Sequence, residues 1–141
     1  MPPPPRRQGW EIDFTPQAKR WFMSLKGRDA ERIAGALNQL ERKGPTLRRP
    51  VAAPIVGSRH HGMKELRAIG GHQRALFAFD PNRRAIVLTG GDKTNNWKGW
   101  YKQNIPVADR LYDQHLRNIG KGEPWMTRAP RAGDRSDGRD L

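Results

Sequence analysis

Cations, histidines and aromatic residues are concentrated between Arg59 and Tyr112, and these residue types suit a ligand that carries both phosphates and bases. Arginine donates paired hydrogen bonds to phosphate oxygens and keeps its charge at any working pH. Histidine transfers protons near neutral pH, and exposed aromatic rings stack on bases. The segment therefore predicts a surface that binds nucleic acid, and its titratable residues raise the question of cleavage.

Arg67 and Arg74 lie on two successive predicted strands that are joined by a short Gly-Gly turn. A hairpin would bring both guanidinium groups to one phosphate. The alternative is two solvated arginines, one of them paired with Glu65. Lys64 could stabilise charge in a transition state and Glu65 could act as a base. Alternation puts Lys64 and Glu65 on opposite strand faces, however, so they cannot both point at one substrate.

His60 and His61 lie in the loop before the first of these strands. Cleavage of RNA through the neighbouring 2′-hydroxyl needs one base and one acid, and either histidine could serve. The alternative is that both are ordinary loop residues. A metal site is not expected, because adjacent residues rarely converge on one ion and no carboxylate pair lies nearby.

The segment 92–102 combines cations with three aromatic rings. Stacking on an exposed ring contributes about 1–3 kcal/mol per base. We expect one ring to belong to the core, and either Trp97 or Tyr101 to be exposed. The side chains predicted to contact RNA are Arg59, Trp97, Lys98 and Lys102.

The net charge of the 141-residue chain is +13, from 27 Lys and Arg against 14 Asp and Glu. Between Arg48 and Lys102 there are 11 cations and 3 anions, whereas residues 120–141 hold 5 cations and 4 anions. The positive charge therefore belongs to the folded part and favours a polyanionic partner. The alternative is an arginine-rich composition without functional meaning.

Several classes of chemistry have no signature in this sequence. There is no cysteine, which excludes disulfides and thiolate catalysis. There is also no P-loop, GxGxxG, GxSxG or HExxH motif, so neither a cofactor nor a metal is expected. No apolar run approaches the roughly 18 residues of a membrane span, and the N-terminus has no secretory signal. A cytoplasmic location is the default expectation.

Periodicity divides the chain into three parts: a proline-rich, disordered leader (1–9), one domain (10–119) and a disordered tail (120–141). In the domain, alternation predicts strands at 10–14 and 63–68, and apolar runs predict strands at 74–79 and 84–89. Two helices with apolar stripes lie between the first two strands, and residues 46–62 are a loop with at most a brief edge strand. Pro106 is expected to begin a last helix. The predicted fold class is α+β, with the first strand and a helical hairpin on one face of a small, mainly antiparallel sheet. The other face is expected to be open and to carry the cations.

The chain resembles the RelE/ParE toxin superfamily, and more closely its HigB-like branch, which is related to phage Gp49-type proteins. The resemblance covers about Trp10 to Leu116 and is carried by four short motifs. These are GSRHH at 57–61, MKELR at 63–67, RALFAFDP at 74–81 and GGDK at 90–93.

This resemblance implies a RelE-like fold and the toxin of a type II toxin–antitoxin module. It also implies metal-independent cleavage of messenger RNA on the 70S ribosome and neutralisation by a HigA-like helix-turn-helix antitoxin. The catalytic residues that the resemblance implies are Lys64, Arg67, Arg74, Lys93 and Tyr101. The loop histidines His60 and His61 complete the set of candidate catalytic residues.

The chain also departs from the superfamily pattern. Glu65 falls where RelE itself has a lysine, and Asp92 or Lys93 replaces an expected arginine. The terminal tyrosine of the pattern could be Tyr101 or Tyr112, with Trp97 also possible. The alternative functions are a ParE-like inhibitor of DNA gyrase and a non-catalytic, phage-derived protein that binds nucleic acid.

Overall fold

The computed structural model describes residues 9–121 and 127–128. In chain order the elements are β1 (Glu11–Phe14), α1 (Pro16–Ser24), α2 (Gly27–Lys43), a single 3-10 turn (Gly44–Thr46), β2 (Ala52–Pro54), β3 (Lys64–Arg67), β4 (Gln73–Phe79), β5 (Arg84–Asp92), α3 (Trp97–Lys121) and β6 (Thr127–Arg128). All of the strands join one sheet in the order β2-β3-β4-β5-β1-β6. β1 runs parallel to β5, and the remaining neighbours are antiparallel. The α+β prediction is confirmed.

The entry into the helical hairpin follows the predicted cap. Thr15 Oγ1 accepts a hydrogen bond from the Ala18 amide at 3.0 Å and donates one to the Leu88 carbonyl at 2.7 Å. Pro16 occupies the first helical position, where its missing N–H costs nothing. One hydroxyl thus caps α1 and ties it to β5.

Each face of the sheet is covered by helices. On one face, α1 and α2 pack against the sheet through residues that include Phe14, Phe22, Ile33 and Phe77. On the other face, α3 contributes Trp100, Ile105, Ala108 and Tyr112 to a second core with Leu76 and Leu88. The expectation that this second face is open was therefore wrong over most of its area.

The prediction of an open face failed because the last helix begins earlier in the chain than Pro106. α3 begins at Trp97, and Pro106 lies inside it. Proline removes one backbone hydrogen bond from a helix interior, at a cost of about 3 kcal/mol. Burial of the apolar side of α3 against the sheet offsets this cost, since Trp100 and Ile105 are both only 8% exposed.

The predicted ends of the domain are only partly within the described residues. Residues 1–8, 122–126 and 129–141 lie outside them. α3 continues to Lys121, and Thr127–Arg128 pairs with β1 as an edge strand, although both residues belong to the segment predicted to be disordered. In the part of the chain that the structure describes, no helix combines the length and hydropathy needed to cross a bilayer.

Candidate functional site

Glu65 lies at the centre of a cluster of charged side chains on the α3 face of the sheet. Arg67 and Arg74 are directly opposite each other on β3 and β4, which confirms that the two arginines are neighbours. Arg67 Nη2 donates to Glu65 Oε2 at 2.9 Å, and Arg74 Nε lies 3.8 Å from Glu65 Oε1. The Glu65 side chain is only 6% exposed, so its carboxylate depends on these cations for compensation.

The arginines keep donors that the protein itself does not satisfy. Nε of Arg67 and Nε of Arg74 are buried and have no hydrogen-bond partner within the described residues. Arg74 Nη1 instead donates to the carbonyls of Gly71 (3.0 Å) and Gln73 (2.9 Å). Buried donors are normally paired, so these Nε groups show that Glu65 compensates the two guanidinium groups only in part. Arg67, whose side chain is 28% exposed, can therefore also bind an incoming anion.

Tyr101, on the first turns of α3, donates a hydrogen bond from its hydroxyl to Glu65 Oε1. Burial and the carboxylate together raise the pKa of Tyr101 to about 12. The phenol is therefore neutral at pH 7 and acts as a donor to Glu65. Trp100 packs edge-on against the Tyr101 ring at 5.0 Å and fixes its orientation.

Glu65, Arg67 and Tyr101 line a groove of about 550 Å³ between the start of α3 and the loop after β2. Its charged lining consists of Glu65, Arg67 and Lys93, with Trp97 and Tyr101 as the aromatic residues. The remaining lining is apolar: Pro54, Ile55, Val56 and Ile105. Since Glu65 is already paired with arginine, the groove carries a positive surplus.

A tight turn places Lys93 and Trp97 at this groove. Asp92 Oδ1 accepts hydrogen bonds from the amide (2.8 Å) and the hydroxyl of Thr94, and these bonds lower the pKa of Asp92. Asn95 adopts a positive φ of 63°, a conformation that asparagine tolerates well. α3 then begins at Trp97, so this turn sets the position of its first side chains.

The aromatic residues divide as predicted between core and surface. Trp100 is buried, whereas Trp97 is 54% exposed and Tyr101 is half-buried. Lys98 Nζ lies 5.5 Å from the centroid of the Trp97 ring, within range of a cation–π contact. Lys98 and Lys102 are both exposed on the first turns of α3.

Lys64 points away from this site. Its ammonium lies 5.6 Å above the Phe79 ring, and its side chain lines a separate groove beside Arg48 and Arg49. The strand alternation that separated Lys64 from Glu65 in the sequence also separates Lys64 from the arginine pair. The structure thus does not bring this candidate to the other predicted site residues.

The loop between β2 and β3 is tied to the middle of α3. His60 Nε2 lies 2.7 Å from Asp113 Oδ1, and Arg59 binds the same carboxylate. The Arg59 amide and the Ser58 hydroxyl bind Asp109 at 3.1 and 2.5 Å. Asp113 is twelve residues beyond Tyr101, or about 18 Å along a helix at 1.5 Å per residue.

His60 and Arg59 therefore lie far from the Glu65 cluster. They instead hold the loop between β2 and β3 against the middle of α3. His61 is exposed on the same loop. His115 is part of α3, and its Nε2 lies 2.8 Å from the buried carboxylate of Asp80. The structure brings none of these three histidines into the groove lining.

Glu65 is the residue whose importance the sequence underestimated. One alternative from the sequence was a pair of solvated arginines, one of them paired with Glu65, yet Met63 and Glu65 share a face that α3 buries. The signal in the sequence was the apolar Met63, which lies two residues before Glu65 and therefore on the same side of the strand. Among residues 9–121 and 127–128, no three His, Asp or Glu side chains are grouped so that they could hold a metal ion.

Comparison with known proteins supplies the family. Residues 20–113 match the model of the phage-derived protein Gp49-like family (DUF891). The "Putative toxin HigB3" of Mycobacterium tuberculosis is 53% identical over 105 residues, which cover 74% of this chain and 92% of that protein. The "Putative toxin HigB2" of the same organism is 38% identical, with coverage of 82% and 59%. The crystal structure of the isolated E. coli RelE toxin shares the fold at a TM-score of 0.50 and 12% identity, covering 67% of this chain and 97% of RelE.

Proposed function

We propose that this chain, which belongs to the Gp49-like family and is a HigB-like toxin, cleaves messenger RNA on the ribosome without a metal. One observation carries this proposal above all. The guanidinium groups of Arg67 and Arg74 lie beside Glu65 and Tyr101, and each has a buried Nε without a hydrogen-bond partner among the described residues. Arg67 also lines a positively charged groove. This arrangement offers anion binding and proton transfer within one site.

In the proposed reaction, Arg67, Arg74 and Lys93 bind the scissile phosphate and stabilise the charge that develops on it. Glu65 accepts the proton of the 2′-hydroxyl, and the 2′-oxygen attacks phosphorus. The bond from phosphorus to the 5′-oxygen breaks, which leaves a 2′,3′-cyclic phosphate and a 5′-hydroxyl.

Tyr101 completes the proton balance in this scheme. Its hydroxyl already donates to Glu65, and a pKa of about 12 makes it a weak acid. The departing 5′-alkoxide is a stronger base than the tyrosinate, so it can take the Tyr101 proton. Glu65 then returns the proton from the 2′-hydroxyl to the tyrosinate, and both residues regain their starting states.

The other predicted residues take different roles in this proposal. Lys98 and Lys102 extend the cationic surface for neighbouring phosphates, because both are exposed next to the groove. Lys64 lines a separate groove, and His60 and Arg59 are paired with Asp113 far from the Glu65 cluster, so none of them is assigned a chemical step. His61 stays available on the loop surface for contact with RNA or the ribosome.

The proposed partners follow from the relationship to HigB proteins. They are a HigA-like helix-turn-helix antitoxin, messenger RNA and the 70S ribosome. The proposed place of action is the cytoplasm, where these partners occur together. A small reading frame for the antitoxin is expected beside the toxin gene.

The test is induction of the protein in growing cells, followed by mapping of RNA 5′ ends. New 5′-hydroxyl ends within translated regions are expected, and Arg67→Ala should abolish them. Lys43→Ala is the matched control, since Lys43 is an exposed cation at the end of α2. Growth arrest with intact transcripts would overturn the proposal, and arrest with a DNA-damage response would indicate gyrase as the target.

A further inference from the structure

Two exposed apolar side chains border the same groove. Among the described residues, the large hydrophobic side chains that are exposed are Val56 (92%), Trp97 (54%) and Ile69 (48%). Val56 and Trp97 both line the groove of the Glu65 cluster, whereas Ile69 does not. Single exposed apolar residues are common on protein surfaces. A pair that shares one groove with the cations Arg67 and Lys93 points to a ligand with an apolar part as well as an anionic part.

The charges of the groove define what that ligand must also carry. Arg67 and Lys93 line the groove together with Val56 and Trp97. Its one carboxylate, Glu65, is held by arginine. A nucleotide matches this combination, because its base is flat and apolar on both faces and its phosphate is an anion. Stacking on indole with phosphate contacts alongside is how single strands are commonly held.

The loop geometry keeps Val56 in this position. Gly57 follows it with a φ of 101°, and the next three residues bind Asp109 and Asp113 of α3. Trp97 is positioned by the turn at Asp92 and by the start of the same helix. The two side chains are therefore both anchored to α3, one directly and one through the loop.

We propose that Val56 and Trp97 form a base-binding subsite next to the scissile phosphate. The base of a nucleotide neighbouring the cleaved bond stacks on Trp97 and packs against Val56. The subsite accepts any base, because none of the apolar groups that form it reads a hydrogen-bonding edge. This inference rests on the proposed function and specifies how that site holds its substrate.

The test uses a fluorescein-labelled 2′-O-methyl RNA decamer, which cannot undergo 2′-hydroxyl attack, and an otherwise identical decamer whose residues are all abasic. Anisotropy measures their binding to the full chain at fixed salt. The wild-type protein should bind the base-bearing strand about tenfold more tightly than the abasic strand. Trp97→Ala should remove this preference, and Trp97→Phe should keep most of it.

Ile69→Ala is the matched control and should leave the preference unchanged. Val56→Ala should reduce it about twofold, since the alanine keeps only part of the apolar contact. Thermal melting followed by circular dichroism checks that each variant is folded. Equal binding of both strands by the wild-type protein, or an unchanged preference in a folded Trp97→Ala variant, would overturn the subsite.

These outcomes separate the subsite from the endonuclease. A base preference that depends on Trp97, without any RNA ends in cells, would support the subsite and reject cleavage. RNA ends in cells together with a preference that Trp97→Ala leaves intact would reject the subsite and support cleavage.

Discussion

Arg74 combines a structural and a functional role, which changes what its removal should do. An exposed strand arginine would be dispensable for folding, but the Arg74 side chain is only 13% exposed and donates hydrogen bonds to the carbonyls of Gly71 and Gln73. We predict that Arg74→Ala abolishes toxicity and also destabilises the fold by about 1–3 kcal/mol, because buried polar groups lose a partner. Urea unfolding and growth assays measure the two effects.

The double variant Arg74→Ala/Glu65→Gln tests the structural role of Arg74. Neutralising Glu65 removes the buried charge that Arg74 compensates, so part of the lost free energy of unfolding should return. Toxicity should stay absent, since the double variant lacks both the phosphate ligand and the proposed base. Recovery of toxicity in the double variant would contradict the chemical roles proposed for both residues.

The hydroxyl of Tyr101 offers a direct measurement of the site. The chain has two tyrosines, so Tyr112→Phe leaves Tyr101 as the single titrating phenol. We predict that Tyr101 stays protonated at pH 10 and ionises near pH 12, as burial and Glu65 require. Absorbance at the tyrosinate band, followed with rising pH, checks this. Half-ionisation near pH 10 would contradict the hydrogen bond to Glu65.

The raised pKa of Tyr101 also determines how the free energy of unfolding changes with pH. The unfolded chain releases the Tyr101 proton near pH 10 and the folded chain near pH 12. The stabilisation from this phenol is therefore fully present below pH 10 and is lost as the pH rises towards 12. In Tyr101→Phe, the free energy of unfolding should fall less steeply over this interval than in the wild-type protein.

The residue-level predictions from sequence succeeded where the relevant partners were close along the chain. Arg67 and Arg74 are joined by one short turn, so their proximity followed from a hairpin. The partner of His60 is Asp113, 53 residues away, and no local pattern indicates that pair. Glu65 was underestimated for a related reason, because the helix that buries its face comes from a distant part of the sequence.

At the level of elements, the Gly90-Gly91 pair allows both helical layers to approach β5. A Cβ at Gly90 would lie 2.2 Å from the Trp21 ring of α1, and one at Gly91 would lie 2.5 Å from Trp100 Nε1 of α3. We predict that either alanine substitution destabilises the fold by about 1–3 kcal/mol through overpacking. Thermal melting or urea unfolding measures the loss.

Gly35→Ala is the control for these glycines. Gly35 lies inside α2, and a Cβ there would meet nothing within 4 Å. Alanine should be neutral or stabilise by about 0.5–1 kcal/mol, because glycine is a poor helix former. An equal loss in all three variants would contradict the packing of the indole rings on the glycines.

The strands β1, β3, β4 and β5 and the helical hairpin followed from periodicity, whereas the edge strand β6 and the start of α3 did not. Proline at a first helical turn is the commoner arrangement, so Pro106 indicated a start that lies nine residues too late. The residues 97–105 were polar and aromatic enough to indicate a binding segment. Only the sheet surface beneath them shows why they form a helix.

At the scale of the whole molecule, the cover of both sheet faces confines the proposed RNA site to the groove at the start of α3. A protein that neutralises Z phosphates of a single strand releases the counterions bound there. The logarithm of its binding constant then falls with the logarithm of the salt concentration, with a slope of about −0.7 Z. We predict that Lys93→Ala reduces this slope by about 0.7 for the 2′-O-methyl decamer, because Lys93 lines the groove. Anisotropy titrations at several salt concentrations measure it.

Lys43→Ala tests whether the cations of the groove bind the RNA strand specifically, or whether the net positive charge of the whole chain attracts it. Lys43 ends α2, and α2 packs against the face of the sheet that α3 does not cover. If the net charge of +13 reflects an arginine-rich composition alone, both lysine variants should change the slope equally. If the groove binds the strand, Lys43→Ala should leave the slope unchanged, since exposed charges more than about 10 Å apart are largely screened at 0.1 M salt.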